Sequence, residues 1–410
     1  MIRHSKKIRA VAAVVCAALT AACADNGPTA VVPPLTPSNA LFTSYVALGN
    51  SLTAGYQSGG INDSTQQQSY AALLAKSMNT RYAYASLALP GCPPPIVNFQ
   101  TQARLAGGSA STCALRNPAS ITSALNNVAV PGATSLDPTG VTTASSNTLS
   151  TFILGGKTQV AKAADANPTF VSAWIGNNDV LGAALSGLLV ATPGVSAGVT
   201  PVATFQTNYA AMIAGLKAIP TLKGAVLIGV LNVTAVPALF PVAALQNPAF
   251  KAGFDQFAGG TTTILPNCLT PPGNQALISV SILGQMNSGA HPRVVGCAKN
   301  SVPTTPVGDI FVVDSAEQAT LATTVASYNS YIAAQAAANG WAYYDPNPLL
   351  VSLKTSGCVG TVPNLANATS PFGACMSLDG VHPTAIAHKQ VAAAIIAAIN
   401  AKYSTNLAAP

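Results

Sequence analysis

The chain has 410 residues, of which 49% are hydrophobic and only 7% are charged. This length allows one large domain or two of ordinary size, and the apolar composition excludes an intrinsically disordered chain. The formal net charge is +7, but four of the 18 basic residues lie near the amino terminus, and without them 14 basic residues face 11 acidic ones. Because the remaining +3 includes no basic run, nucleic-acid binding has no electrostatic support.

Residues 1–23 have the layout of a bacterial export signal. A basic start is followed by an apolar stretch and by small residues before Cys23, so this segment is excluded from the fold prediction. The sequence LTAAC (residues 19–23) also resembles a lipoprotein signal, although Thr20 stands where leucine is usual. We expect an exported cell-envelope lipoprotein of the outer membrane or periplasm, attached to the membrane by a lipid on Cys23. Cleavage to a secreted protein is the alternative.

Residues 24–43 are rich in Pro, Thr and Asn and predict a tether. From residue 44 to about 402, strand and helix patterns alternate in a single predicted domain. Several predicted strands are continuous apolar runs, as expected of parallel strands covered on both faces. The predicted strands are Tyr45–Leu48, Tyr82–Leu89, Asn127–Val130, Thr169–Ile175, Ala225–Val230 and Trp341–Tyr344.

Helical patterns fall between the later strands. One begins at Thr200 and keeps apolar residues at helical spacing to Leu216, a second covers residues 317–340, and the last runs from about Thr384 to Ile399. Strands that alternate with helices predict an α/β fold with a parallel sheet.

Two segments interrupt this alternation. Residues 90–126 and 235–310 are rich in turn-forming residues, and both are predicted to be loop insertions. Residues 180–199 and 224–245 are apolar and uncharged, but Gly, Pro and Asn interrupt them. They are therefore predicted as a short helix with a loop and as a buried strand with a loop, and a membrane span is the alternative.

Six cysteines follow the signal, and an even number in an exported protein indicates disulfides. Their spacing favours three sequence-local pairs, although six cysteines allow 15 pairings. Zinc binding is the alternative, but the chain has no Cys-x-x-Cys spacing and only four histidines. The favoured pairs are Cys92–Cys113, Cys268–Cys297 and Cys358–Cys375.

Ser51 lies in VALGNSLTAGY (residues 46–56), just after a predicted strand that ends at Gly49. A serine between a strand and a helix is more often a helix cap than a nucleophile. The surrounding Gly49-x-Ser51-x-Thr53 also departs from the G-x-S-x-G pattern. A nucleophilic role for Ser51 therefore depends on a base, an acid and oxyanion donors elsewhere in the chain.

The segment SLDGVHPTAIAHKQ (residues 377–390) supplies an acid and a base. Asp379 precedes His382 by three residues, so its carboxylate can bind one ring nitrogen while the other faces a nucleophile. A solvated loop before the last helix is the alternative. Of the other histidines, His291 lies in the second insertion and His388 on the last helix, where a structural role is expected.

Two strand ends offer hydrogen-bond donors. Asn178, in GNND (residues 176–179), follows a predicted strand at the edge where parallel sheets bind ligands, and a neutral amide suits an oxyanion. Gly132, in VPGA (residues 130–133), allows the backbone to approach a substrate closely. Ordinary turns are the alternative for both, and Gly91 in LPGC competes with Gly132.

Four short sequence blocks carry these residues, and in this order they resemble the SGNH hydrolases, also called the GDSL family of esterases and lipases. The resemblance spans about residues 44–400 and implies a three-layer α/β/α sandwich with a mostly parallel, flavodoxin-like sheet. One departure is Asn50, where the family usually has Asp. The matching blocks are GNSL (49–52), NVAVPGA (127–133), GNND (176–179) and DGVH (379–382).

The resemblance implies that Ser51 is the nucleophile, His382 the base and Asp379 the residue that orients this base. The backbone N–H groups of Ser51 and Gly132 and the side chain of Asn178 would form the oxyanion hole. No metal or organic cofactor is required for this chemistry.

We therefore expect a carboxylic ester hydrolase that works through an acyl-enzyme. The alternatives are a catalytically inactive surface binding lipoprotein with the same fold, or an acyltransferase that uses the same serine. The apolar stretch after Asp179 and the lipid anchor favour acyl or lipid esters, with acetylated polysaccharides as the alternative. The pair Cys358–Cys375 is expected to steady the loop that carries Asp379.

Overall fold

The computed structural model describes residues 35–115, 124–140, 148–189, 198–298, 301–302 and 310–410. The predicted signal, with Cys23, and residues 24–34 of the predicted tether lie outside these ranges. A compact unit spans Pro37–Pro410. The last part of the predicted tether belongs to this unit, because Phe42 is buried and packs edge-on against Phe170 with ring centroids 5.1 Å apart.

Nine short strands are present in the described part of the chain. They are β1 (Tyr45–Gly49), β2 (Phe170–Trp174), β3 (Gly224–Ile228), β4 (Leu239–Pro241), β5 (Thr263–Ile264), β6 (Leu277–Ser279), β7 (Val294–Val295), β8 (Val312–Val313) and β9 (Ala342–Tyr344).

The helices surround these strands and are separated by short 3-10 turns. They are α1 (Ser51–Ala54), α2 (Asp63–Gln67), α3 (Tyr70–Ser77), α4 (Thr148–Leu154), α5 (Gln159–Ala164), α6 (Asn178–Ser186), α7 (Val202–Lys217), α8 (Pro248–Phe257), α9 (Ser281–Asn287), α10 (Ser315–Ala338), α11 (Asn347–Thr355) and α12 (Ala385–Tyr403).

The central sheet is parallel and has the strand order β1-β2-β3-β9. Residues 126–130 run along the outer edge of β1, where Ala47 N donates to Asn126 O at 2.7 Å and Val128 N donates to Ala47 O at 3.0 Å. The predicted strand Tyr82–Leu89 is instead irregular apart from one bridge. Its backbone groups bind side chains, as when Leu87 N donates to Gln66 Oε1 at 2.9 Å.

Both faces of the central sheet are covered, since alternate residues of β1 enter different hydrophobic clusters. Val46 and Leu48 pack in one cluster with residues of α7 and α10. Tyr45 and Ala47 pack in another with residues of α3 and α12. This arrangement confirms the predicted three-layer α/β/α sandwich.

The three predicted helices are present as α7, α10 and α12. Helix α10 begins with a capping box in which Asp314 Oδ1 accepts from Glu317 N at 2.8 Å and Glu317 Oε2 accepts from Asp314 N at 3.0 Å. In the described parts of the two uncharged stretches, the first continues α6 and the second begins with β3. Among the described residues, no helix is long and apolar enough to cross a membrane.

The segment 235–310 contains more regular structure than the predicted loop insertion. Its strand β6 pairs antiparallel with β4 on one side and with β8 on the other, and α8 and α9 pack beside this sheet. Phe240, Phe254 and Ile278 are completely buried there. The Pro, Gly and Asn residues connect these short elements, and the segment contributes much of a separate hydrophobic cluster that also includes Leu353, Phe372 and Cys375. In contrast, residues 90–115 are largely irregular, as predicted.

All six cysteines after the predicted signal are paired in the structure. The pairs are the sequence-local ones that the spacing favours: Cys92–Cys113, Cys268–Cys297 and Cys358–Cys375.

Candidate active site

Ser51 lies at the carboxyl end of β1, as the first residue of α1. Only glycine fits at position 49, the last residue of β1, because β2 and α1 lie close to it on its side-chain side. Gly49 has φ +154°, and a Cβ there would lie 2.6 Å from Trp174 O and would also collide with the Thr53 side chain. The Ser51 backbone N–H has no acceptor within α1, because the first N–H groups of a helix lack intrahelical partners.

Ser51 forms one hydrogen-bonded series with His382, 331 positions later in the chain, and with Asp379. His382 Nε2 lies 2.8 Å from Ser51 Oγ, and His382 Nδ1 lies 2.9 Å from Asp379 Oδ2. When Nδ1–H donates to the carboxylate, Nε2 is free to accept the serine hydroxyl proton. The structure thus brings together the three residues predicted to be nucleophile, base and orienting acid.

Asp379 is held by many donors. Its Oδ2 accepts from Gly59 N at 2.7 Å, and its Oδ1 accepts from Val381 N at 2.9 Å, His382 N at 2.8 Å and Ser377 Oγ at 3.0 Å. Burial by itself would raise the pKa of this carboxyl, but the facing His382 ring and these hydrogen bonds outweigh burial and hold the pKa well below its usual range. Asp379 is therefore ionised over the whole neutral and weakly acidic range.

Residues 376–383, here called the His382 loop, are closed at their base by a bridge between the first and the last residue. The disulfide Cys358–Cys375 precedes the loop directly, and Cys375 N donates to Cys358 O at 2.9 Å. At the tip, Gly380 has φ +70° and its carbonyl accepts from Ala238 N at 2.9 Å. The segment that begins at residue 235 therefore supports the loop from one side and the disulfide from the other.

Gly132 and Asn178 lie near each other, on two different segments. Gly132 belongs to residues 130–137, here called the Gly132 loop, and has φ +85°. Asn178 is the first residue of α6, and its Nδ2 donates to Ala133 O at 2.9 Å. The competing Gly91 packs against backbone, since a Cβ there would lie 2.5 Å from Ile61 O.

A cavity of about 510 Å³ joins these parts of the site. Ser51, Gly132, Asn178 and His382 all line it. Its walls add the rings of Tyr56, Pro93 and Pro131, the side chains of Leu149 and Leu181, and the disulfide Cys92–Cys113. The cavity therefore presents a hydroxyl nucleophile and polar donors within largely apolar walls.

Asn50, which departs from the usual family residue, caps α1. Its Oδ1 accepts from Leu52 N at 3.1 Å, a bond that an aspartate oxygen makes equally well. The side chain is 1% exposed, and its Nδ2 makes no hydrogen bond to the described residues. Asn50 therefore keeps the cap that positions Ser51 and leaves one buried amide donor unused.

The other two histidines of the described chain lie away from the Ser51 hydroxyl. His388 is completely buried on α12, where its Nδ1 accepts from Tyr70 N at 3.2 Å. Burial, and then the charge of His382, lowers the pKa of His388 to about 3, so this ring is neutral. His291 is buried against Phe311, with Nδ1 2.6 Å from Pro292 O. The position of His388 fits the structural role expected of it.

Several residues that support the site carry no recognisable sequence signal. Gln159 binds both backbone groups of Gly49, accepting from its N–H and donating to its carbonyl at 3.0 Å each. Tyr56 packs against the His382 ring with ring centroids 5.0 Å apart. Ser377, two residues before Asp379, is the one partner that proximity in the sequence could have suggested.

The chain matches a known protein family over most of its length. It matches the family described as GDSL-like Lipase/Acylhydrolase over residues 45–395, and it therefore belongs to this family. A search of curated proteins finds no significant match.

Three solved structures are similar at low sequence identity. A mutant of Axe2, an acetyl-xylooligosaccharide esterase from Geobacillus stearmophilus, is 12% identical and covers 87% of this chain and 94% of its own, with a TM-score of 0.37. LAE5, an alpha/beta hydrolase from the metagenome of Lake Arreo, Spain, is 12% identical and covers 89% and 98%, with a TM-score of 0.38. An extracellular lipase from Streptomyces rimosus is 15% identical and covers 87% and 99%, with a TM-score of 0.38.

Proposed function

We propose that this member of the GDSL-like lipase/acylhydrolase family hydrolyses carboxylic esters with Ser51 as the nucleophile. The observation that carries the proposal is the hydrogen-bonded series from Ser51 Oγ through His382 to Asp379, at 2.8 and 2.9 Å, on the wall of a 510 Å³ cavity. A serine, a base and an ionised acid in this order are the parts required for acyl transfer.

In the first step, Ser51 Oγ attacks the ester carbonyl while His382 Nε2 takes the hydroxyl proton. Asp379 holds Nδ1–H and stabilises the positive ring that results. The protonated His382 then gives its proton to the departing alcohol, which leaves an acyl group on Ser51.

The developing oxyanion needs donors that face the cavity beside Ser51. The Ser51 and Gly132 backbone N–H groups and the second N–H of Asn178 Nδ2 supply them, because the first N–H of this amide is directed to Ala133 O. Fixed donors of this kind stabilise the transition state because they need no reorganisation during the reaction.

In the second step, His382 takes a proton from a water molecule that attacks the acyl-enzyme. It then returns this proton to Ser51 Oγ as the bond from Oγ to the acyl group breaks and the carboxylic acid leaves. Addition of a different alcohol in place of water would make the same site an acyltransferase. Product analysis with and without an added alcohol distinguishes these two outcomes.

The proposed substrate class is an acyl or lipid ester. Leu149, Leu181, Pro93 and Pro131 line the cavity and are suited to an apolar acyl chain rather than a charged group. A series of ester substrates of increasing chain length tests this preference. Higher kcat/KM for longer chains supports it, and a sharp preference for acetyl esters contradicts it.

A fluorophosphonate that labels activated serines tests the proposed nucleophile. We expect the wild-type protein to be labelled and to hydrolyse an aryl ester, and Ser51→Ala to do neither. Ser327→Ala is a matched control, because Ser327 lies on the exposed side of α10 and should react as wild type. A wild-type protein without label or turnover would indicate a binding protein that keeps only the fold.

Export and lipidation at Cys23 belong to the proposal as well. The three disulfides support export, because such bonds persist in oxidising compartments. Mass spectrometry of the mature amino terminus, for wild type and Cys23→Ser, tests lipidation. A wild-type amino terminus without an acyl modification would contradict it.

A further inference from the structure

The two segments that carry Gly132 and Asn178 are joined by a second contact, made by the neighbouring residue Asp179. This side chain is completely buried. One carboxylate oxygen accepts from Ser135 N at 2.8 Å, and the other accepts from Ser135 Oγ at 2.6 Å. Ser135 belongs to the Gly132 loop, so Asp179 binds this loop through a backbone group and a side chain of one residue.

The first two residues of α6 therefore hold the Gly132 loop at successive points. Asn178 binds Ala133 O at 2.9 Å, and Asp179 binds Ser135. Gly132 itself is not packed on its side-chain side, since a Cβ there would meet no atom within 4 Å. The direction of the Gly132 N–H hence depends on how the rest of the loop is anchored.

We propose that Asp179 is a positioning residue that keeps the two oxyanion donors, Gly132 N–H and the Asn178 amide, aligned on one carbonyl oxygen. The role rests on the proposed ester hydrolysis. Asp179 does not touch the substrate; it acts through Ser135 on the loop that carries Gly132. A small change in donor direction is enough to lower the rate, because oxyanion stabilisation depends on fixed geometry.

The ionisation of Asp179 predicts that this role depends on pH. Burial raises the pKa of Asp179 to about 6, although the bonds from Ser135 oppose that shift. The titratable groups facing it are Asp137, of like charge, and the Tyr328 phenol on α10. Above pH 6 both oxygens accept from Ser135, whereas a protonated carboxyl has one oxygen that must donate.

Asp179→Asn imitates the protonated carboxyl at every pH, because an amide has one accepting oxygen and one donating nitrogen. At pH 7.5 we expect kcat for an aryl ester to fall roughly 10- to 100-fold while KM changes little. The ratio of wild-type to variant kcat should then shrink as pH falls through 6. A pH dependence that both proteins share cancels in this ratio.

Asp137→Asn is the matched control. Asp137 Oδ2 accepts from Thr134 N at 2.6 Å and from Thr134 Oγ1 at 2.7 Å within the same loop. We expect a lower melting temperature for this variant, with a smaller effect on kcat than that of Asp179→Asn. Ser135→Ala removes one of the two bonds and should lower kcat moderately with KM unchanged. It carries the test if Asp179→Asn fails to fold.

The outcomes separate the two proposals. A wild-type protein that hydrolyses no ester overturns the proposed function and the positioning role together. An active wild type with unchanged kcat in Asp179→Asn, or in Ser135→Ala when the first variant does not fold, overturns the positioning role alone. A reduced kcat whose ratio to wild type does not depend on pH between 5 and 7.5 also overturns it.

Discussion

The His382 loop and the Gly132 loop face each other across Ser51, and they are held in place by different means. The His382 loop is bounded by the disulfide Cys358–Cys375 and bound by backbone N–H groups of distant segments, such as Gly59 and Ala238. The Gly132 loop is held by the side chains of Asn178 and Asp179. One side of the site is therefore fixed by a disulfide and by backbone donors. The other is fixed by two adjacent side chains, in addition to the backbone bond from Val130 N to Gly49 O at 3.1 Å.

The buried carboxylates of the two sides respond to burial in opposite ways. For Asp379, the facing His382 and the hydrogen bonds outweigh burial, and the pKa falls well below its usual range. For Asp179, burial dominates and the pKa rises to about 6. The partners explain the difference, because Asp379 faces the His382 ring and several donors, whereas Asp179 accepts from Ser135 and lies near the like-charged Asp137. The Asp379 carboxylate should thus stay ionised in weak acid, whereas Asp179 should take up a proton near pH 6.

The largest expected effect comes from Asp379, the acid on the His382 loop. Asp379→Asn should lower kcat roughly 10³- to 10⁴-fold, because an amide no longer selects the tautomer of His382 that accepts from Ser51. Steady-state kinetics with an aryl ester measures this, and Asp165→Asn, on the surface, is the control. A loss below tenfold would show that the His382 loop orients the ring without Asp379.

The second prediction concerns how the free energy of unfolding depends on pH through His388. The pKa of His388 in the folded protein is about 3, below its usual 6.5. The unfolded chain therefore binds more protons between these values, and stability that is present above pH 6.5 is lost as pH falls towards 3. We expect a loss of roughly 4 kcal/mol relative to a variant without the buried ring.

Urea unfolding of wild type and His388→Gln between pH 4 and 7.5 measures this difference. The curve of the variant should be flatter over this range, since carboxylate titrations are common to both proteins. Parallel curves would show that His388 does not contribute to the acid sensitivity of the fold.

The third prediction addresses the oxyanion side. Asn178→Ala should raise the activation free energy by roughly 3 kcal/mol, or about a hundredfold in kcat, because it removes one donor to the oxyanion. Asn177→Ala is the matched control. Because Asn177 Oδ1 accepts from Leu231 N at 2.9 Å, this variant should have a lower melting temperature but an unchanged kcat. Similar kinetics for both variants would remove Asn178 from the oxyanion hole.

The smallest expected effect on activity comes from the disulfide of the base side. Replacement of Cys358 and Cys375 by Ala should lower the free energy of unfolding by about 3 kcal/mol in the chain-entropy model and should lower kcat only a few-fold. The matched control replaces Cys268 and Cys297, which are 29 positions apart, against 17 for Cys358 and Cys375, and which do not adjoin the His382 loop in the chain. It should lower stability by about as much and leave kcat unchanged.

Equal kinetic effects of the two disulfide variants would contradict a specific link between Cys358–Cys375 and the His382 loop. Melting curves must accompany the kinetics, because a general loss of stability lowers the active fraction in both variants.

Local patterns predicted the four strands of the central sheet and the three longest helices of the described chain. The strands at Tyr45, Phe170 and Gly224 are largely apolar runs that are buried on both faces, so composition alone marks them. Tyr82–Leu89 has the same composition but is irregular, because the Gln66 side chain binds its backbone. Such a competing partner leaves no trace in a pattern of hydrophobic residues. The core within 235–310 was missed for a related reason, since its elements are too short to show a period.

Part of the site could also be predicted from the sequence. Asp379 and His382 are three residues apart, and their contact at 2.9 Å lies within one loop. The disulfide pairs are local in the same sense. The partners that hold the site are not, because Gln159 contacts Gly49, and Ser135 contacts Asp179, only across the assembled sheet.

By itself, then, the sequence determined which chemical groups are present, which short segments carry them and which of these segments are strands or helices. These are properties of residues near one another in the chain. Only the tertiary structure decided that Ser51 and His382, 331 positions apart, lie 2.8 Å from each other. It also decided that Asp179 binds the Gly132 loop. Both contacts depend on the strand order β1-β2-β3-β9 and on the packing of the loops at its carboxyl edge, which arise from burial of the whole sheet rather than from any local pattern.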